Sequence, residues 1–417
     1  MGYSLFGEKF TTHSGITMLM DDLNIGCQDP NSIMLGGGNP AKIPQVNQYF
    51  DQLLQKKIAD KSLLDTLTNY DGPQGKDSFI NALVTLFNDE FHWGISNKNI
   101  VLTNGSQNAF FSLFNLFAGH FSDGTKKKIL LPLSPEYIGY ADACLEPDSF
   151  ISYKPEITEL EHGLFKYHID FDALEINHNI GAICVSRPTN PTGNVLTDNE
   201  IKQLSLLAKK ENIPLIIDNA YGLPFPNIIF EDVRLFWEEN IILSMSLSKL
   251  GLPGARCGII VANEEHVKAI SNINGICNLT PVGIGGSLVT DMIEDKTLLP
   301  LSKNIIKPYY QHKAQFAVDL LQKYIPSDKF KIHKPEGAIF LWLWFKELPI
   351  SGKELYQRLK NRGVFIIPGE YFFIGLQDAQ NWKHASECLR MNYIAPEKDL
   401  ENGIKIIAEE VNKAYLD

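Results

Sequence analysis

Between residues 100 and 290 the chain alternates short, nearly continuous apolar runs with longer stretches of mixed polarity. The runs at 100–102, 128–131, 182–186, 214–217, 241–245 and 257–261 are bounded by Gly, Pro, Asn or Asp, the signature of strands buried on both faces. Residues 106–117 and 198–212 read as helices between them, which predicts βαβ units and a mostly parallel central sheet. Beyond 300 the pattern changes. A long helix is expected near 302–324, then strands at 340–344, 364–367 and 388–393, and a closing helix from about 397. The expected fold class is therefore α/β, with a large domain at 46–300, a smaller α+β domain at 301–417, and an N-terminal arm over 1–45 that contributes to the smaller domain.

Size agrees with that division, since 417 residues exceed one simple core. The hydrophobic share, 44%, and the charged share, 21%, are ordinary for a globular enzyme. Against 49 acidic residues stand 38 basic ones, a net charge of −11, and the longest basic block is Lys126-Lys127-Lys128. Nucleic acid and anionic membranes are thereby disfavoured as partners. Six scattered cysteines with no Cys-x-x-Cys pair fit a reducing cytoplasm and promise no metal site. No apolar run approaches the length of a membrane span, and the first ten residues lack a signal-peptide core.

The chemistry concentrates in Ser246-Leu-Ser248-Lys249-Leu-Gly-Leu-Pro-Gly-Ala-Arg256, set between two predicted strands. A lysine at the mouth of buried strands is costly to desolvate unless its charge is paired or removed. Forming an imine with an aldehyde removes it. Two serines before the lysine and an arginine after it suit a phosphate on the same aldehyde, so the stretch reads as a pyridoxal-phosphate lysine. Ser246-x-x-Lys249 also fits penicillin-binding enzymes, but their Ser-Asp-Asn and Lys-Thr-Gly partners are absent. Gly72-Pro-Gln-Gly75-Lys76 has too few residues between its glycines for a nucleotide-binding phosphate loop. Upstream, Gly105-Ser106-Gln107 places exposed N–H groups at a helix start, with capping by Ser106 and Asn104 as the ligand-free alternative. Asp218 closes an apolar strand at the end where open parallel sheets bind their ligands.

Taken together, Gly105-Ser-Gln107, Tyr137, Asn190-Pro-Thr-Gly193, Asp218-x-x-Tyr221, Ser246-x-Ser248-Lys249, Arg256 and Arg390-x-Asn392 resemble the fold-type-I pyridoxal-phosphate aminotransferases of classes I and II in order and spacing. Leu35-Gly-Gly-Gly-Asn-Pro40 and Lys334-Pro-Glu-Gly-Ala-Ile-Phe-Leu-Trp342 carry the likeness further, toward the bacterial group that acts on valine and pyruvate. The resemblance runs almost end to end. It implies that Lys249 holds pyridoxal 5'-phosphate as a Schiff base and shuttles a proton, while Asp218 pairs with the ring nitrogen. By the same likeness, Tyr221 and Asn190 would bond the ring's phenolic oxygen, and Tyr137 (less so Tyr140) would stack on its face. The turn at Gly105, Ser106 and Gln107 would hold the phosphate with Ser246, Ser248 and Arg256, and Tyr70 would reach the phosphate of a neighbouring subunit. Arg390 would clamp the substrate carboxylate, with Gly38 and Asn190 beside it.

The implied reaction is ping-pong amino transfer between L-valine and pyruvate, giving 3-methyl-2-oxobutanoate and L-alanine, in a homodimer with shared sites. A β-lyase or decarboxylase on the same lysine remains open from the residues alone, as does a different aliphatic specificity. A non-enzymatic regulator built on the same ligand domain is the third reading. It sits poorly with the short arm before Gly36 and with the acidic balance.

Overall fold

The computed structural model describes residues 2–11, 17, 20, 21, 24, 26, 28, 29 and 31–416. Cys27 and twelve other residues of the expected N-terminal arm lie outside the described residues. At the centre is an eight-stranded sheet. Its spatial order runs Ile100–Thr103, Gly258–Val261, Ile241–Ser246, Leu215–Asp218, Ile180–Ser186, Lys126–Leu131, with Gly119–His120 at one edge and Phe150–Ser152 also paired to Lys126–Leu131. Leucine, isoleucine and valine fill these strands, and the five at 100–103, 180–186, 215–218, 241–246 and 258–261 are buried along their whole length. Helices shield the faces, as a sheet of this hydrophobicity requires. The helix Ser106–Phe117, for example, buries Ala109, Phe110, Leu113 and Phe114.

The sheet is not parallel throughout. Gly258–Val261 runs antiparallel to both of its neighbours. The edge strand Gly119–His120 is antiparallel too, but it is the reversal at 258–261 that matters for function. In register, Ser246 and Thr103 lie opposite Gly258, so the antiparallel strand begins where its neighbours end. Arg256 thereby arrives at the same edge of the sheet as Gly105 and Ser246. On the other side, Ser186 and Ser244 are both in register with Asp218, which brings the loop after Ser186 to that edge as well.

A second, six-stranded sheet has the order Ile367–Pro368, Cys388–Asn392, Phe340–Phe345, Phe330–His333, Leu164–His168, Glu156–Glu159. The hairpin at 156–168 comes from the middle of the chain yet joins this sheet through a parallel pairing with Phe330–His333. Near it, the buried carboxylate of Glu336 accepts from Lys166 Nζ and from the backbone N–H of Val195 at 3.0 Å, tying the two regions together.

Four sequence expectations change in detail. The run 364–367 is two separate two-residue strands in different sheets, Val364–Phe365 pairing with Ile33–Met34 and Ile367–Pro368 with Cys388–Asn392. A bend between them serves both sheets, and an apolar run cannot report it. The helix expected at 302–324 opens with a π-helical turn, Ser302–Ile306, before Lys307–Tyr324. The helix expected over 198–212 ends at Lys210, after which Asn212 takes a left-handed φ of 53°. Its start is capped reciprocally by Thr197 and Glu200. Lastly, neither Asn104 nor Ser106 caps the helix at 106. Its N-cap is Gly105, with no side-chain cap.

Candidate active site

The ends of the central strands and the strand Cys388–Asn392 converge on a cavity of about 240 Å³. Lys249, Asp218, Tyr221 and Asn190 line it, as do Ser106, Gln107, Ser246, Ser248, Arg256, Gly38, Tyr137 and Arg390. Gly105 lies at its border. Its φ is 85°, and a Cβ there would collide with Arg256 Nη2, so only glycine lets that guanidinium lie against the turn. Tyr70 is the exception: its side chain is 84% exposed and does not reach the cavity of its own chain. A larger groove, about 990 Å³, runs beside the helices Asp77–Phe91 and Ile284–Glu294 but contains none of the motif residues.

Lys249, Asp218 and Arg390 are each oriented by at least one contact from a distant part of the chain. Lys249 Nζ donates to the Gly38 carbonyl at 2.6 Å and lies 5.4 Å from the centre of the Tyr221 ring. Burial, and then the positive charge of Arg390, bring its pKa down to about 8. A free amine is thus accessible near neutrality. Asp218 sits at the strand end with Oδ1 accepting from the Ala220 N–H at 3.0 Å and Oδ2 from the Tyr140 hydroxyl at 2.8 Å. Burial pushes its pKa up to about 6, and the Tyr140 hydrogen bond pulls against that rise. Burial also raises the phenol of Tyr221.

Arg390 is 4% exposed and has no carboxylate partner among the described residues. Its Nη1 donates to Asn190 Oδ1 at 2.8 Å and its Nη2 to the Gly36 carbonyl at 2.7 Å, while Nε is left without a partner. The Phe340 ring stacks on the guanidinium at 4.1 Å and Phe372 lies at 5.1 Å. A buried cation with an orphaned donor and no anion is an energetic cost unless a ligand brings the anion. In the same cavity, the helix start at Ser106 leaves its first N–H groups uncapped by side chains, next to Arg256. Uncapped helix N–H groups with a guanidinium alongside form a phosphate site.

Three residues of this neighbourhood escaped the sequence reading in their present roles. Tyr140, weighed only as a stacking ring, is fully buried and hydrogen-bonds Asp218. Glu136, 1% exposed, accepts from Ser186 N at 2.9 Å and Oγ at 2.5 Å, and burial raises its pKa to about 8. Phe340 opens the strand expected at 340–344 and carries no signal of a site role in the sequence. Only the pairing of Phe340–Phe345 with Cys388–Asn392 brings it onto Arg390.

An amine of lowered pKa, a buried carboxylate, a phosphate cradle and an unpaired carboxylate receptor are the groups that pyridoxal 5'-phosphate and an amino acid require, so the residues present fit that cofactor. Among the described residues no cluster could hold a metal ion, and no helix is long and apolar enough to cross a membrane.

Comparison with known proteins agrees with this geometry. The chain is 55% identical over 417 residues to the valine–pyruvate aminotransferase of Escherichia coli (strain K12), covering 100% of both chains. The crystal structure of valine-pyruvate aminotransferase from Salmonella typhimurium LT2 superposes with a TM-score of 0.90 at 53% identity, over 97% of this chain and 100% of that one. The α-aminoadipate aminotransferase of Thermus thermophilus, complexed with N-(5'-phosphopyridoxyl)-L-leucine, shares the fold with a TM-score of 0.79 at 17% identity, over 99% and 98% of the two chains. The family described as aminotransferase class I and II matches residues 44–407. With a fold, a cofactor site and relatives that all agree, the chain belongs to the class I and II aminotransferases, the pyridoxal-phosphate-dependent enzymes of fold type I.

Proposed function

We propose that this chain transfers the amino group between L-valine and pyruvate, yielding 3-methyl-2-oxobutanoate and L-alanine. The observation that carries the reading is the buried, anion-free guanidinium of Arg390 facing the same cavity as Lys249 and Asp218. The pairing of valine with pyruvate rests on the full-length likeness to the Escherichia coli enzyme of that name.

When bound, pyridoxal 5'-phosphate would supply an aldehyde and an electron-accepting ring. The chain's own groups do the rest. Lys249 holds the cofactor through its amine and, once displaced by substrate, takes the proton from the substrate Cα. The pKa of about 8 supports that base role, because the unprotonated amine is populated near neutral pH. Asp218 would hold the ring nitrogen of the cofactor and keep it protonated. Tyr221 and the Nδ2 of Asn190 donate to the ring oxygen; the Asn190 amide is turned correctly for this because its Oδ1 is occupied by Arg390. Tyr137, which lines the cavity, would stack on the ring. Ser106, Gln107, Ser246, Ser248, Arg256 and the Gly105 turn hold the phosphate. Arg390 receives the substrate carboxylate in a two-point grip next to Gly38.

The same reading makes the enzyme a homodimer, in which Tyr70 completes the phosphate site of the second copy. Its 84% exposure, together with that of Leu64, Leu67 and Leu279, supports a face covered by a partner. It also divides the chain at residues 45 and 300, with the hairpin at 156–168 as the middle segment's contribution to the smaller unit. Free thiols at Cys144, Cys184, Cys257, Cys277 and Cys388 support a cytoplasmic setting.

The test is a half-reaction. Holoenzyme mixed with L-valine, without acceptor, is expected to convert the aldehyde form of the cofactor to the amine form and release one equivalent of 3-methyl-2-oxobutanoate. Release of ammonia or carbon dioxide instead would replace amino transfer by a lyase or decarboxylase. A panel of keto acids then ranks the acceptors, with pyruvate expected first.

A further inference from the structure

The carboxylate of Asp218 is held by two donors from very different places. One is the backbone N–H of Ala220, two residues on. The other is the hydroxyl of Tyr140, which comes from the segment following the strand Lys126–Leu131 and is fully buried. Its ring has almost no freedom. Phe110 packs on it at 4.8 Å, Phe114 meets it edge-on at 5.1 Å, and Tyr137 does the same at 5.3 Å. A phenol locked in an apolar cage delivers its O–H in one direction only.

We propose that Tyr140 is a positioning residue for amino transfer: it acts through Asp218, fixing the plane of that carboxylate and stabilising its charge so that it pairs with the protonated ring nitrogen of the cofactor. The inference rests on the reading that Asp218 faces that nitrogen. Burial alone would drive Asp218 toward its neutral form, in which it no longer favours a protonated ring. A hydrogen bond from a neutral donor to a buried carboxylate opposes this without adding a competing positive charge. Neighbouring Glu136 does not substitute, since its oxygens are engaged by Ser186 and by the Tyr137 N–H at 3.3 Å. Tyr140 is also a different kind of residue from Tyr137. Both ring systems are close to the cofactor site, but only the hydroxyl of Tyr140 bonds the carboxylate.

A double-mutant cycle on cofactor affinity separates this from a packing role. Apoprotein of wild type, Tyr140→Phe, Asp218→Asn and the double variant is titrated with pyridoxal 5'-phosphate, and each apoprotein is checked for a cooperative melt. Tyr140→Phe is expected to weaken binding about tenfold in the Asp218 background, the scale of one hydrogen bond to a charged group. In the Asp218→Asn background the same change is expected to cost less than about twofold. A second variant, with 3,5-difluorotyrosine at position 140, keeps the shape and strengthens the donor; it is expected to tighten binding only when Asp218 is present. Equal factors in both backgrounds, or no effect of either change at Tyr140, overturn the proposal. If Asp218→Asn alone leaves affinity untouched, the failure lies instead with the assignment of Asp218 to the ring nitrogen.

Discussion

Replacing Arg390 by lysine keeps the positive charge and removes the fork, so it isolates what the guanidinium geometry contributes. In the structure the fork is already half committed: Nη1 to Asn190 at 2.8 Å and Nη2 to Gly36 at 2.7 Å, with Nε free. A lysine ammonium has its donors on one atom and cannot hold both of these while presenting two parallel N–H groups to a carboxylate. One charge-assisted hydrogen bond to substrate is lost, about 1.5–3 kcal/mol. Stacking on Phe340, at 4.1 Å, is weakened as well, a further ~0.5–1 kcal/mol. The sum, about 2–4 kcal/mol, corresponds to roughly thirty- to a thousandfold weaker carboxylate binding. The assay is steady-state kinetics of Arg390→Lys with both substrates varied, plus equilibrium titration of the holoenzyme with 3-methyl-2-oxobutanoate. Because amino acid and keto acid take turns in one clamp, KM is expected to rise for L-valine and for pyruvate together, while the apoprotein melts within a few degrees of wild type. A change below threefold, or a rise for one substrate alone, would refute the claim that this guanidinium receives the carboxylate.

Lys249 has a folded-state pKa of about 8, below its ordinary 10.5, so the unfolded chain binds more protons between those values. The cost of burying its charge is fully present below pH 8 and fades as pH rises toward 10.5; Lys249→Met apoprotein should therefore melt higher than wild type at pH 7, with the gap closing across that window in calorimetry. Gly105→Ala forces an L residue to a φ of 85° and drives its Cβ into Arg256 Nη2. Its pyridoxal-phosphate affinity should fall at least about tenfold in equilibrium dialysis, as expected when one charged hydrogen bond to the phosphate is lost. Glu336→Gln leaves Lys166 buried without its anion. Urea titration should show a loss of about 3 kcal/mol, the usual scale for breaking a buried pair. Coexpressed Tyr70→Ala and Lys249→Ala chains should regain activity through mixed dimers with one intact site, and no recovery would argue against a shared site.

Much of the site was legible because its parts lie at strand ends. An apolar run announces its own termination, and in an open α/β sheet the termination is where ligands bind. Asp218, Ser246 and the Asn190 loop all follow directly from that rule, and Gly105 follows from a glycine between a strand and a helix start. What the rule cannot supply is a partner on another element. Tyr140 lies only three residues beyond Tyr137, and nothing in Tyr137-Ile-Gly-Tyr140 tells which ring faces the cavity and which carries a hydroxyl to Asp218. The two-sheet split of 364–367 was hidden for a related reason, since both halves are equally apolar.

Composition and order alone determined the succession of strands and helices, the acidic balance, and the set of residue types able to hold a phosphorylated aldehyde. These are properties of neighbours along the chain. The tertiary structure decided that Gly258–Val261 runs backwards and so delivers Arg256 to the sheet end that holds Gly105 and Ser246, that Phe340 and Asn190 enclose Arg390, and that Lys249 rests on the Gly38 carbonyl. Such meetings depend on strand register and on how two sheets close around a cavity, and a side chain's reach across that closure leaves no periodic trace in the sequence.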